Sequence, residues 1–162
     1  QKVKMLHRLN DHLLANRRRK INNILIIDEA QAVQDAAVFE DLRLLMNFQL
    51  NDEFLLTLVL FGQPELNQRV AAIPQLDQRI ALRYHLRPFS ADETADYIRF
   101  RLQGVGGSRD LFTKDALQAV FALSQGICRV INNLCDLSLL LGAQDQSTEI
   151  SPAVVQRASS IA

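Results

Sequence analysis

The sequence predicts an α/β fold: strands of a parallel sheet flanked by helices, followed by a small all-α bundle. Three observations lead there. Ile24-Leu25-Ile26-Ile27 is an unbroken aliphatic run that meets two carboxylates, Asp28 and Glu29. Such a run, rich in β-branched residues, is the pattern of a strand buried on both faces of a parallel sheet. Its charged end marks the carboxyl edge, where open α/β sheets bind ligands. A second apolar run, Phe54 to Phe61, follows a helical pattern and ends at Gly62-Gln63-Pro64. Strand, helix, strand at this spacing is a βαβ unit with a right-handed crossover, so both strands should finish on one edge and bring Gln63 near Asp28 and Glu29. From Ser90 onward every periodic stretch is helical.

Taken in order, residues 1 to 16 place Val3, Leu6, Leu9, Leu13 and Leu14 at helical spacing, the mark of an amphipathic helix. Arg17-Arg18-Arg19-Lys20 follows as a basic run best read as a solvated turn. Residues 34 to 50 read as a second helix, with Val38, Leu42, Leu45, Met46 and Phe39 facing inward, interrupted by Asn51-Asp52-Glu53. Pro64 opens a short helical stretch to about Ala72, and Pro74 to Leu82 is a turn or short helix carrying Arg79 and Arg83. Tyr84 to Phe89 reads as a short strand leading out of the sheet, punctuated by Pro88. Ser90 with Glu93 forms a capping box for a helix to about Gln103, which Gly104-Val105-Gly106-Gly107 ends as a C-cap and turn. Thr113 caps a further helix, Gly126 precedes another from Cys128, and Ser151-Pro152 begins the last. The expected domains are 1–89, α/β, and 90–162, helical.

Composition narrows the function classes. Eighteen basic residues balance eighteen acidic ones, so no overall field draws the chain to nucleic acid or anionic lipid. No window reaches the ~18 apolar residues of a membrane span. Cys128 and Cys135, seven residues apart on a helix, would lie ~10 Å apart along its axis, too far for a disulfide. They read as buried thiols of a reducing cytosol. His7, His12 and His85 show no pairing that suggests a metal or a triad.

The order of these features resembles the AAA+ ATPases and, among them, the general secretion pathway protein A (ExeA-like) family. The stretches that carry the likeness are Ile24 to Gln31, Leu58 to Leu66, Gln78 to Phe89, and Gly126-Ile127-Cys128-Arg129-Val130-Ile131-Asn132. The resemblance implies a partial AAA+ core at residues 1–89 and a helical lid at 90–162. It implies a Walker B strand in which Asp28 helps hold Mg²⁺ and Glu29 polarises the attacking water. It also implies a sensor 1 residue at Gln63, an arginine finger at Arg79 with Arg83 in reserve, and a sensor 2 residue at Arg129. Phosphoryl transfer suits such a set because its catalysis is mostly positioning and charge compensation. Cys128 stands where the family usually has Pro before the sensor 2 Arg, a departure from its pattern.

A larger departure is that G-x-x-x-x-G-K-[ST], the phosphate-cradling Walker A motif, does not occur in the sequence. The expectation is a fragment whose parent protein binds and hydrolyses ATP with Mg²⁺ while these residues alone bind it poorly or not at all. The resemblance further implies a cytoplasmic ATPase at the face of the inner membrane. It would self-associate through nucleotide-bridged subunits and energise or regulate assembly of a secretion or pilus machinery. Two alternatives stand beside it. A DNA-transposition regulator resembles this core too, but the basic run and the surplus of Arg over Lys are its only support, so nucleic acid is the less favoured partner. A non-hydrolysing interaction module fits poorly with two carboxylates kept at a strand end.

Overall fold

The computed structural model describes residues 2–50, 53–107 and 110–161. Asn51 and Asp52, expected to interrupt the second helix, lie outside the described residues. The chain divides into two compact units, Gln1–Arg83 and Tyr84–Ala162.

In the first unit, helix α1 (Lys2–Arg18) leads to strand β1 (Ile24–Ile27), and helix α2 (Ala36–Leu45) leads to a short antiparallel pair, β2 (Gln49–Leu50) and β3 (Glu53–Phe54). Strand β4 (Thr57–Leu60) follows, then helices α3 (Glu65–Ala71) and α4 (Pro74–Asp77). The βαβ expectation holds: β1 and β4 pair in parallel, with Ile24 opposite Thr57 and Ile27 opposite Leu60. The ladder continues beyond both ends, through Thr57 N–H to the Asn23 carbonyl at 2.9 Å and Phe61 N–H to the Ile27 carbonyl at 2.8 Å. Asn23 also joins this end of the sheet through its side chain, which accepts from Asn16 Nδ2 at 2.6 Å and donates to the Leu55 carbonyl at 3.0 Å.

Phe39, Leu42, Val70 and Leu76 are the buried centre of this unit, with Leu25, Ile27, Leu58 and Leu60 packed against them. One face of the two-stranded sheet therefore supplies the core. Burial of β1 on both faces does not hold, because Ile24 is 62% exposed and Ile26 58%. The period of two in a strand sends these residues to the face opposite Leu25 and Ile27. Three further expectations are corrected. The second helix ends at Leu45, not near residue 50, because Met46, Asn47 and Phe48 close turns onto Leu42, Leu44 and Leu45 before Gln49 pairs with Phe54. Val3 of α1 is exposed, and the only buried residue of that helix is Leu13. Tyr84 to Pro88 is not a strand: among the described residues no ladder partner meets it, and Tyr84 and Leu86 stand in solvent.

The second unit contains α5 (Ala91–Gly104), α6 (Lys114–Ser124), α7 (Cys128–Gln144) and α8 (Pro152–Ser159). The capping box is present: Ser90 Oγ accepts from Glu93 N–H at 3.2 Å and Glu93 Oε2 accepts from Ser90 N–H at 2.8 Å. Arg87 adds two parallel bonds to the same carboxylate, at 2.7 and 2.8 Å. Helix α5 ends as a Schellman motif, with Gly107 N–H on the Leu102 carbonyl, Gly106 N–H on that of Gln103, and Gly106 at φ 77°. Thr113 caps α6 by accepting from Ala116 N–H. Ile98, Phe112, Val120, Ile131, Leu134, Ile150 and Val155 are among the buried residues of the bundle core. Cys135 is partly buried, but Cys128, expected to be buried, is exposed at the start of α7. Among the described residues no helix is long and apolar enough to cross a membrane.

Candidate functional site

The carboxyl edge of the β1–β4 pair is built by two turns that the parallel ladder forces side by side. After β1 the chain stops extending at Asp28, and Glu29 takes the left-handed conformation, φ 52° and ψ 35°, before a 3₁₀ turn over Ala30–Ala32. A side chain bearing a Cβ is uncommon there, and such backbone strain concentrates at functional positions. Three contacts hold the conformation. Asp28 Oδ1 accepts from the Glu29 N–H at 2.8 Å, and the next N–H, that of Ala30, donates to the Phe61 carbonyl at 2.8 Å. Ala30 itself is 1% exposed, so its methyl is locked into the interior. The carboxylates of Asp28 and Glu29 remain exposed.

From the neighbouring strand, Phe61-Gly62-Gln63 turns into α3. Gln31 joins the two turns. Its Nε2 donates to Glu29 Oε2 at 2.6 Å, and its Oε1 accepts from the Gln63 N–H at 3.1 Å. Gly62 leaves room for that amide, since a Cβ there would lie 2.7 Å from Gln31 Oε1 and 2.9 Å from Leu66 Cδ2. Arg69, on α3, donates to the Val33 carbonyl at 2.6 Å and so ties the helix after β4 to the loop after β1.

The structure thus brings together three of the five residues expected to form a site: Asp28, Glu29 and Gln63. Arg79 is exposed in the turn after α4, and its side chain makes no hydrogen bond or ion pair among the described residues. Arg83 is engaged by Asp77. Arg129 is the second residue of α7, in the other unit, and is exposed. Sequence reasoning missed Gln31. The signal lay in its type and spacing: an amide two residues after the acid, on the same turn, can donate to a carboxylate and accept from a backbone N–H at once.

The donor set constrains which metal the edge could take. Asp28 and Glu29 offer hard carboxylate oxygens, and among the described residues no three His, Cys, Asp or Glu side chains converge as a metal site. Two adjacent carboxylates fit Mg²⁺, which keeps several waters and takes further oxygens from phosphates, better than a metal needing a full protein cage.

Comparison with known proteins bears on the family and the fold. The family model described as an AAA domain matches residues 1–70. General secretion pathway protein A of Aeromonas hydrophila is 46% identical over 134 residues, which are 82% of this chain and 24% of that protein. An uncharacterized HTH-type transcriptional regulator of Methanocaldococcus jannaschii is 30% identical over 140 residues, covering 83% of this chain and 34% of the relative. The chain therefore spans about a quarter to a third of the length of these relatives. Among solved structures, a mutant of RuvB from Thermotoga maritima superposes with a TM-score of 0.69 at 18% identity, over 94% of this chain and 49% of that one. That likeness speaks for the fold: an α/β AAA+ core, here partial, with its helical bundle. Taken together, the comparisons make the chain similar to an AAA domain over residues 1–70 and to general secretion pathway protein A over 134 residues.

Proposed function

We propose that the full-length protein carrying these residues binds and hydrolyses ATP, and that this β-sheet edge is the hydrolytic half of its site. The observation that carries the reading is the pairing of two turns at one sheet edge, with exposed Asp28 and Glu29 on one and Gln63 on the other. ATP supplies the phosphoryl group and Mg²⁺ compensates its charge. Asp28, one of whose carboxylate oxygens the Glu29 N–H leaves free, would help hold the Mg²⁺. Glu29 orients the attacking water and accepts its proton. Gln63 contacts the terminal phosphate from the adjoining turn. Arg79, exposed and without an ion pair among the described residues, is available to enter the site of a neighbouring copy, where a guanidinium would meet transition-state charge. Arg129 contacts phosphate from the helical lid. These roles assign residues 1–89 to the ATPase core and 90–162 to the lid.

The similarity to general secretion pathway protein A supports a cytoplasmic ATPase at the inner membrane that energises assembly of a secretion or pilus machinery, its subunits bridged by nucleotide. The experiment is ATP turnover by the full-length protein with and without Mg²⁺. Glu29→Gln should retain ATP and lose turnover by roughly 100-fold or more, the scale of a lost water-positioning group. Arg79→Ala should lose turnover only under conditions in which the protein assembles. Full turnover in Glu29→Gln would refute the assignment.

A DNA-binding reading draws on the similarity to an HTH-type regulator and on exposed Arg18, Arg19 and Lys20. Arg17 of that run is already paired with Glu53. Salt-dependent binding of the full-length protein to duplex DNA would favour this reading, and no binding at low salt would remove it.

A further inference from the structure

We propose that Gln31 is a positioning residue for Glu29, setting the direction of its carboxylate from the turn that carries Gln63; the proposal rests on the ATPase reading above. The backbone of Glu29 is fixed by the Asp28 carboxylate on one side and the Ala30 to Phe61 bond on the other. Its side chain is long and exposed, and the backbone alone leaves more than one rotamer open. Gln31 makes that selection. The amide donates to Glu29 Oε2 at 2.6 Å while accepting from the Gln63 N–H at 3.1 Å. Only one orientation of the amide satisfies both, because the flipped form would set an oxygen against the carboxylate and an NH₂ against an N–H. The direction of the acid is therefore registered against the neighbouring strand rather than against its own. Gly62 belongs to the same device, since a Cβ at that position would collide with Gln31 Oε1 at 2.7 Å. Its φ is not in the left-handed region, so alanine meets no backbone penalty there, only the side-chain conflicts with Gln31 and Leu66.

This gives two independent ways to release the acid without altering it. Gln31→Ala removes the amide, and Gly62→Ala displaces it while leaving Gln31 and Gln63 in the sequence. In the full-length protein both variants should lower kcat by roughly 10- to 100-fold, the range for misplacing a reacting group by about an ångström. The ATP Kd should stay within about twofold, because on this proposal Gln31 acts on the water-positioning acid and not on nucleotide binding. Hydrogen exchange of the peptide spanning residues 61–66 should quicken in both, through the lost acceptor of the Gln63 N–H. A fall in ATP affinity with kcat unchanged, or a kcat equal to or above wild type in Gln31→Ala, would overturn the proposal. Unchanged exchange in Gln31→Ala would overturn it as well, by showing that the contact is not made. Glu29→Gln separates the two levels. If it turns over ATP like wild type, the ATPase reading falls and takes this proposal with it. If it is inactive while Gln31→Ala is not, the proposal falls alone.

Discussion

Phe89 donates its backbone N–H to the Gly126 carbonyl at 3.0 Å, and in return its own backbone lies where a side chain on residue 126 would have to stand. A Cβ on Gly126 would sit 2.0 Å from the Phe89 carbonyl oxygen and 2.7 Å from its nitrogen, and the glycine has φ 77°. Backbone cannot step aside as a flexible side chain can. Gly126→Ala should therefore destabilise the helical unit by about 2–4 kcal/mol, combining the left-handed backbone penalty with overpacking. Urea denaturation followed by far-UV circular dichroism checks this, and an unchanged midpoint would contradict it.

Acid should act on the entry to α5. The Arg87 guanidinium, with the Ser90 N–H, holds the Glu93 carboxyl at about 2, well below its ordinary value of 4.5. A carboxyl lowered in the folded state contributes stability that is fully present above its unfolded pKa and is lost as pH falls through the folded one. Here that window runs from about pH 4.5 down to about pH 2. In Arg87→Ala the midpoint of Glu93, followed by carboxyl NMR shifts, should rise toward 4.5. A midpoint that stays near 2 would mean that Arg87 is not the main cause.

The two thiols should separate chemically. Burial pushes the Cys135 thiol up to about 12, the neighbouring Asp136 carboxylate adding to the effect, whereas Cys128 is exposed at the start of α7. Iodoacetamide at pH 8 should therefore add one equivalent to the folded chain, at Cys128, because the thiolate is the reactive form. Peptide mapping locates the adduct. Equal labelling of both cysteines before unfolding would go against the buried placement of Cys135.

Asn23 should matter more than its ordinary type suggests. Its side chain accepts from Asn16 and donates to the Leu55 carbonyl, spanning the end of α1 and the approach to β4. Removing it leaves part-buried groups on both sides without that partner, a loss of about 1–3 kcal/mol. Asn23→Ala measured by denaturant titration should show that loss, and a change below about 0.5 kcal/mol, the usual scale of a neutral surface substitution, would refute it.

Much of this architecture was legible in the sequence, for reasons that differ from one element to the next. Ile24 to Ile27 and, within the run Phe54 to Phe61, Thr57 to Leu60 were readable because aliphatic content marks the strands and the helix between them sets their parallel pairing. Ser90 and Glu93, Thr113, and Gly106 were readable because caps are local chemistry, settled within about one helical turn. The β2–β3 pair was not readable, because the apolar period of α2 leads straight into Gln49 and Leu50, and Phe54 reads as the start of the following apolar run rather than as the partner of Gln49. The exposure of Ile24 and Ile26 was hidden for another reason: burial on a second face depends on what packs there, which the run itself does not encode. At the sheet edge, Asp28, Glu29 and Gln63 announced themselves by their place after the strands. Gln31 did not, since the expected closeness of the two turns does not say which side chain bridges them.

The left-handed backbone at Glu29 has a consequence for how this chain tolerates change over time. Substitution by glycine would relieve about 1 kcal/mol of conformational cost, and asparagine or aspartate would recover part of it. Those are also the side chains too short or too bare to meet the Gln31 amide. At residue 29, mutational drift toward a more comfortable fold thus runs directly away from the acid's reach. At that residue, a gain in backbone comfort comes at the expense of the acid.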